Sequence, residues 1–391
     1  MTQTAHPVED VLDKTDELLS EGKDCLTVSE LMDELGVKSI AAVLVAPSLA
    51  LVSPLSGIPL FSSACGMTIA LISGQMLMGR NHLWLPSFLS KRSLSAKNTQ
   101  KATGALRKVA AWMDRRFKKR LQWLLTPPFL RIIQLVCLLC GLIMPFLEIL
   151  PFTSSILGGV VALLAVAMLT GDGLIALATV LLLMLGLGGV AFQIMLRNPL
   201  ASPDIIGISA SAGAAAVFAI VILAFDGWLV SLVAVAAGLG VAALIWALSS
   251  RRGAAGARLI LIGIGVSAML DSVTAYVLLE APAWDRAEAM RWLTGSLNGV
   301  QLVQALPVAG ALLVFGGLLA CTARDLEVLR LGDDTAEALG VRADATRLRV
   351  TLAAVGLVAI ATAATGPIAF VAFLAGPIAA RLLPGSRGLI C

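Results

Sequence analysis

The chain has 391 residues, 58% of them hydrophobic and 14% charged, with a formal net charge of +4 and a mean hydropathy of +0.91. Soluble domains carry about 25% charged residues, so a water-soluble enzyme or binding domain is excluded. Repeated runs of about 20 nearly uncharged residues match the thickness of the bilayer core, and the short alternating segments of a membrane β-barrel are absent. The class expected is therefore all-α, a polytopic helical membrane protein with about 8–10 membrane segments.

Residues 1–37 form an acidic head, with Glu9, Asp10, Asp13, Asp16, Glu17, Glu21, Asp24, Glu30, Asp33 and Glu34. It lacks the basic start and apolar centre of a secretory signal and reads as cytoplasmic. Thr27-Val-Ser-Glu30 has the spacing of a capping box, and Gly36 is placed to stop the short helix after it. Residues 39–79 hold two apolar stretches interrupted by Pro47, Pro54 and Pro59, which predicts a tight hairpin or re-entrant half-helices. Residues 91–120 then carry Lys91, Arg92, Lys97, Lys101, Arg107, Lys108, Arg115, Arg116, Lys118, Lys119 and Arg120 against Asp114 alone. Beside membrane spans such a block marks the cytoplasmic side, and anchoring on the anionic headgroups of the lipid bilayer explains it more simply than a nucleic-acid site.

From 131 onward the apolar segments are 131–149, 153–170, 174–195, 205–225, 228–248, 258–279, 302–322 and 350–375. The turn at 249–258 carries Arg251, Arg252 and Arg258 with no acid, so it belongs inside. The link at 280–297, with Trp284 and Trp292, then falls outside, and the link at 323–349 returns inside. Asp271 lies in the middle of 258–279; an ionisable residue at membrane depth is a pathway candidate, with structural pairing to Ser267, Ser272 or Thr274 as the alternative.

Chemistry is sparse. No G-x-x-x-x-G-K-[ST] loop is present, so any nucleotide is handled by another chain. No H-E-x-x-H occurs, and His6 and His82 are far from Cys137 and Cys140, whose spacing inside an unbroken apolar run reads as packing. No catalytic residue, metal site or cofactor is expected. Asp333 and Asp334 sit in a solvated loop.

Five ordered segments resemble the FecCD family of ABC permeases over residues 184–388. They are Gln193-Ile-Met-Leu-Arg-Asn-Pro-Leu-Ala-Ser-Pro-Asp-Ile-Ile-Gly-Ile-Ser209, Leu259 to Gly265, Trp292-Leu-Thr-Gly-Ser-Leu297, Leu329 to Val341, and Gly366-Pro-Ile-Ala-Phe-Val371. The resemblance implies a type II importer-like core for iron-siderophore, haem or cobalamin-type chelates in the bacterial inner membrane. Its partners would be an ABC ATPase subunit, a periplasmic substrate-binding protein, and a dimer partner that is a second copy or a paralogue. It also implies a signature made of Arg197, Asn198, Pro199, Leu200, Ala201, Pro203, Gly207, Ser209, Gly366 and Pro367. The ATPase-coupling loop would be Leu329, Leu331, Gly332, Asp333, Asp334, Thr335, Ala336, Glu337, Ala338, Leu339, Gly340 and Val341. Arg286 and Arg291, on the external link, become candidate contacts for the binding protein. Two departures stand out: Gly376-Pro377 replaces the usual Pro-His pair, and the family's first and last spans are expected to be missing.

A second resemblance, to the ExoD proteins of exopolysaccharide synthesis, covers residues 25–185. It rests on Ala46-Pro47, Ser56-Gly57-Ile-Pro59, Gly74-Gln75-Met76, Gly79-Arg80, Trp84-Leu-Pro86 and Gly171-Asp172-Gly173. The domains expected are thus the head 1–37, an ExoD-like membrane region 38–183, and a FecCD-like core 184–391. An exopolysaccharide role, or a non-functional truncated fusion, is the alternative function. Charge counting strains the hybrid. With 91–120 inside, three crossings put Arg197 outside, whereas the permease pattern needs it inside. One segment must then re-enter, with 131–151 favoured because Pro145, Glu148 and Pro151 interrupt it; otherwise the fusion frustrates insertion.

Overall fold

The computed structural model describes residues 25–27, 37–53, 58, 60–80, 84, 93–95, 107, 111, 115, 119–147, 153–198, 201–249, 255–297, 302–368 and 371–382. The described residues are almost wholly helical, as the composition requires. The exception is a two-stranded antiparallel ribbon of β1 (Cys25–Thr27) and β2 (Ser93–Ser95), with Leu26 opposite Leu94. Thr27 ends that ribbon, and the helix expected after it lies outside the described residues. Most of the basic block 91–120 does too. The chain divides into two compact units, Met1–Thr179 and Val180–Cys391.

The first unit holds α1 (Val37–Val52), α2 (Phe61–Leu77), α3 (Phe129–Leu147) and α4 (Thr153–Thr170). Helix α1 continues through Pro47 and α3 through Pro145, where the sequence suggested breaks. In α1 the Ser48 hydroxyl, next to the proline, donates to Leu44 O and Val45 O, both at 2.9 Å. Helix α1 packs on α4 and α2 on α3. In lipid there is no water to expel between helices, so association depends on close van der Waals fit through small residues. Gly141 supplies it on α3: a Cβ there would lie 2.7 Å from both Ala70 N and Gly66 O. A short segment, Arg120 to Phe129, joins the start of α3 to the end of α4. Arg120 O accepts from Gly173 N at 2.8 Å, and the Trp123 and Phe129 rings meet edge to face at 5.4 Å.

From Gly173 the chain forms α5 (Gly173–Leu196), α6 (Ile208–Val221), α7 (Trp228–Ser249), α8 (Ala255–Glu280) and α9 (Ala283–Thr294). Then follow α10 (Leu302–Ala311), a π-helical turn (Leu312–Gly316) leading into α11 (Gly317–Leu329), α12 (Asp333–Ala338), α13 (Ala343–Thr365) and α14 (Val371–Leu382). Among the described residues, five helices are long and apolar enough to cross a membrane: Gly173–Leu196, Trp228–Ser249, Arg258–Glu280, Leu306–Leu329 and Ala343–Thr365. The segments expected at 131–149, 153–170 and 205–225 form shorter apolar helices. Helix α6 has 14 residues because Ala224 turns left-handed (φ 50°) and Phe225 N bonds back to Ala219 O at 2.9 Å.

Helix α13 is the core of the second unit, packed by α6, α7, α10 and α11. Its apolar window is 72% buried, against 6% for α8, so α8 is an apolar helix whose surface the unit leaves open. Helix α5 lies against α13 through Gly188, where a Cβ would sit 3.0 Å from Val358 Cγ2, and against α14 through Gly189, whose Cα faces the Ala372 carbonyl. Forcing a large side chain into such contacts costs about 1–3 kcal/mol or more. Gly189→Leu should therefore lower the thermal midpoint of the detergent-solubilised chain clearly, while Gly240→Leu, with open space around it, should leave it nearly unchanged.

Candidate functional site

The segment Leu329–Val341, expected to couple to an ATPase, is shaped by two glycines. Gly332 (φ 114°) and Gly340 (φ 83°) hold backbone conformations that other residues rarely adopt, and they confine α12 to the six residues Asp333–Ala338. Leu329, expected in the loop, instead completes α11 and is buried, at 1% exposure; Leu326, one turn earlier, is buried too. Ala336 is fully buried and turns α12 face down, and Val341 N closes the segment on Ala336 O at 2.9 Å. Asp334, Thr335, Glu337, Ala338, Leu339 and Gly340 are left exposed. Leu331 and Leu339, at 65% and 61% exposure, make the outward face apolar as well as acidic.

Asp333 points the other way. Its Oδ1 accepts from Arg197 Nη2 at 2.7 Å and from Arg347 Nη2 at 2.6 Å, and its Oδ2 accepts from Arg347 Nη2 at 2.7 Å. One carboxylate thus ties α12 both to the end of α5 and to α13. Burial pushes its pKa up, but the Arg347 hydrogen bond and charge, with those of Arg197, outweigh this and hold the carboxyl below the usual carboxylate range. A cavity of about 240 Å³ beside the cluster is lined by Met195, Leu196, Arg197, Trp246, Leu259, Asp333 and Arg347. Arg197 is itself left-handed (φ 51°), in the position after a helix where glycine is usual. Glycine would fit the turn but would lose the guanidinium that reaches Asp333.

The remaining signature residues fold into the turn that follows. Asn198 N bonds Gln193 O and Ala201 N bonds Asn198 O, while Ala201 and Pro203 are buried; Pro199 and Leu200 lie outside the described residues. Ser202 accepts from Asp204 N at 3.3 Å, and Ser209 Oγ donates to Asp204 Oδ1. Gly207 combines φ 74° with close approach to α8, since a Cβ would meet Ser267 Oγ at 2.8 Å.

The other motif residues gather at the far end of α13, which at 23 residues is about 34 Å long. Ser296 N donates to Thr365 O at 2.6 Å, and a Cβ on Gly295 (φ 69°) would lie 2.9 Å from Pro367 O. Trp292–Ser296 and Thr365–Pro367, distant in sequence, are thus seated on each other. A cavity of about 440 Å³ adjoins them, with Glu288, Arg291 and Trp292 among its walls. Arg291 is exposed, whereas Arg286 is bound to the end of α8, donating to Leu279 O at 2.9 Å and Ala281 O at 2.8 Å. Asp271 is exposed on α8, and the three neighbours expected as partners bond backbone instead: Ser267 to Gly263 O, Ser272 to Ala268 O and Thr274 to Leu270 O. Among the described residues no group of three or more His, Cys, Asp or Glu side chains is placed to hold a metal.

Sequence reasoning missed Arg347, and it gave no role to two residues inside the quoted motif, Asp204 and Gln193, the latter's Nε2 donating to Phe373 O at 2.9 Å. Arg347 gave a faint signal as one arginine of a mixed-charge link; nothing in the sequence pairs it with Asp333.

The comparisons with known proteins bear on both units. The model of the FecCD transport family matches residues 174–390, and the chain belongs to that family. The model described as exopolysaccharide synthesis, ExoD, matches residues 8–194. The ferric enterobactin transport system permease protein FepG of Escherichia coli (strain K12) is 39% identical over 179 residues, 46% of this chain and 54% of that protein. The achromobactin transport system permease protein CbrC of Dickeya dadantii (strain 3937) is 37% identical over 207 residues, 52% of this chain and 59% of that one. The cobalamin import system permease protein BtuC of Halobacterium salinarum is 32% identical over 205 residues, covering 51% and 54%. The chain thus spans about half the length of the curated relatives it matches.

Because the folded-state pKa of Asp333 is depressed, its ion pairs are intact above the ordinary carboxylate value of 3.8 and are lost as pH falls through the lower folded-state value. Asp333→Asn should therefore raise hydrogen exchange across 333–341 several-fold at pH 7. The parent chain should show comparable exchange, corrected for its intrinsic pH dependence, only in acid below about pH 4. Arg291→Ala should leave the segment unchanged.

Proposed function

We propose that the chain acts as the permease subunit of an ABC importer for metal chelates of the iron-siderophore, haem or cobalamin type. It is a multi-pass protein of the bacterial inner membrane, moves its cargo without catalysing a reaction, and is driven by a separate ATPase. In domain terms, 184–391 is the permease core, 38–183 an ExoD-like membrane region with its basic block, and 1–37 an acidic cytoplasmic head. The observation that carries the reading is the orientation of α12. Its acidic and apolar outer face, Asp334, Glu337, Leu331 and Leu339, is open for a partner, while Asp333 fastens its inner face to two helices. A short helix of this kind suits a groove on another protein, and a push on it reaches α5 and α13 through the same carboxylate. The relatives' names, which speak of ferric enterobactin, achromobactin and cobalamin transport, support the cargo class.

The uncovered surface of α8, with Asp271, Tyr276 and Leu279 exposed, suits a dimer partner, a second copy or a paralogue, with the pathway between them. Arg291, exposed beside the outer cavity, is the better placed of the two arginines to meet a substrate-binding protein, because Arg286 already holds two carbonyls.

One observation favours the reading of a fusion that resists insertion. Helix α5 is continuous, its first residue is bonded to Arg120 O, and Arg197 follows its last. If α5 crosses, its ends face opposite sides, which keeps the conflict that charge counting along the sequence exposes between a cytoplasmic block at 91–120 and a cytoplasmic Arg197.

Two measurements test the importer reading. With a cognate-type ABC ATPase co-expressed, the chain should co-purify with it, and Leu331→Asp with Leu339→Asp should abolish capture while leaving the size-exclusion profile intact. A reporter fused at Asp334 should be cytoplasmic; a periplasmic signal there would end the proposal.

A further inference from the structure

The first unit contains a symmetry that neither matched family states. The Ser62 and Ser154 hydroxyls hydrogen-bond each other at 2.8 Å across a separation of 92 residues. Shifting the sequence by that interval lays Pro59–Gly79 on Pro151–Gly171. Nine positions then coincide, including Pro59 with Pro151, Ser62 with Ser154, Gly66 with Gly158, Ala70 with Ala162, Met76 with Met168 and Gly79 with Gly171.

The conformations coincide too. Gly79 and Gly171 end their helices at φ 72° and 74°. The following amides close the same bond, Arg80 N to Gln75 O at 3.1 Å and Asp172 N to Ala167 O at 3.2 Å. Burial follows the shift: Ile69 and Ile72 are fully buried, as are Val161 and Leu164.

More telling, the contacts are reciprocal. A Cβ on Gly66 would lie 2.6 Å from Met144 Cβ, with Gly141 O at 2.9 Å. A Cβ on Gly158 would lie 2.6 Å from Leu51 Cβ, with Ser48 O at 3.1 Å. Met144 stands 93 residues after Leu51, and Gly141 stands 93 after Ser48. The same offset joins Ile40 to Ile133 and Leu44 to Cys137, all buried. So α1 meets α4 as α3 meets α2, which is the mark of a self-complementary twofold interface.

The direction of the axis follows. Leu51 lies at Gly158 and Ala41 at Leu169, so α1 and α4 run antiparallel. The segment Arg120–Phe129 joins the outer ends of α3 and α4, making those two a hairpin. Hence α1 runs parallel to α3, and the two hairpins point the same way.

We infer that residues 37–80 and 129–172 are two copies of one helical hairpin, joined face to face about a twofold axis through the Ser62–Ser154 pair. The surface each hairpin presents is built to receive a second copy of itself, and this chain supplies both. All four free ends leave on one face, so the unit enters the membrane and returns on the same side. The inference is independent of the transport reading.

Cysteine cross-linking in the full-length chain, with its six native cysteines replaced by serine or alanine, tests it. Ser62→Cys with Ser154→Cys probes the axis, and Ala41→Cys with Leu169→Cys probes a contact already described. Leu77→Cys with Gln134→Cys probes the mate that symmetry alone demands. All three pairs should give several-fold more intramolecular product than Ala41→Cys with Gln134→Cys, two equivalent positions that symmetry keeps apart. If the 77/134 pair stays at the control level while 41/169 reacts, the symmetry is wrong; if 62/154 stays there, the axis is wrong. A second measurement leaves the native cysteines in place. Gly66→Leu and Gly158→Leu should lower the detergent melting midpoint by similar amounts, and a neutral effect of either one overturns the equivalence.

Discussion

Asp333 accepts contacts of 2.6–2.7 Å from two guanidiniums, one from the turn that ends α5 and one from α13. Without it α12 would rest on α11 and α13 through little more than Ala336 and backbone turns. Its position at the surface limits its energetic worth, since an exposed ion pair stabilises weakly. Its value is geometric: Arg347 Nη2 spans both carboxylate oxygens while Arg197 Nη2 holds Oδ1, so the carboxylate is fixed from two directions. The left-handed Arg197 shows how far the backbone is bent to serve this geometry, because that turn ordinarily takes glycine.

Around this cluster the second unit is organised by α13. One end of that helix carries Arg347 and the ion pairs; the other carries Thr365 and the seat for Trp292–Ser296. Between the two lies a run rich in Ala, Val and Thr, from Ala353 to Ala363, that is buried almost without interruption. Close packing of this kind has low compressibility, so displacement at one end is carried along the helix rather than absorbed. The contrast with α8, apolar yet barely covered, separates the part of the unit that holds itself together from the part that faces lipid or a partner.

Much of this was legible in the sequence, and the failures have physical causes. The long apolar runs gave the helices, because length and hydropathy are properties of single segments. Gly332 and Gly340 read in the sequence only as members of the loop Leu329–Val341; their positive-φ conformations, which confine α12 between them, are seen in the structure alone. Pro47 and Pro145 misled, because each removes a single backbone donor and the helix around it is held by packing on its neighbour, α1 on α4 and α3 on α2. Arg286 read as a free external charge, and only the end of α8 shows what it binds. Arg347 and the Ser62–Ser154 pair depend on contacts across 14 and 92 residues, and no local pattern encodes either. The hairpin repeat was present in the sequence all along, but its matching positions are small residues spread among variable apolar ones, a faint signal in a chain made largely of both. The ordered motifs from Gln193 to Val371 carried the family assignment because each combines glycine, proline and charge at fixed spacing inside otherwise anonymous hydrophobic sequence.

The account stands on Asp333 acting as a shared anchor, and a double-mutant cycle measures that directly. Arg347→Ala, Asp333→Ala and the double variant are compared in the full-length, detergent-solubilised chain by the opening free energy of α12 from hydrogen exchange. Coupled residues give a double variant little worse than either single one, and that non-additivity is the expected result. Strictly additive effects would mean that the guanidinium and the carboxylate do not hold each other, and the link from α12 to the membrane helices would be lost.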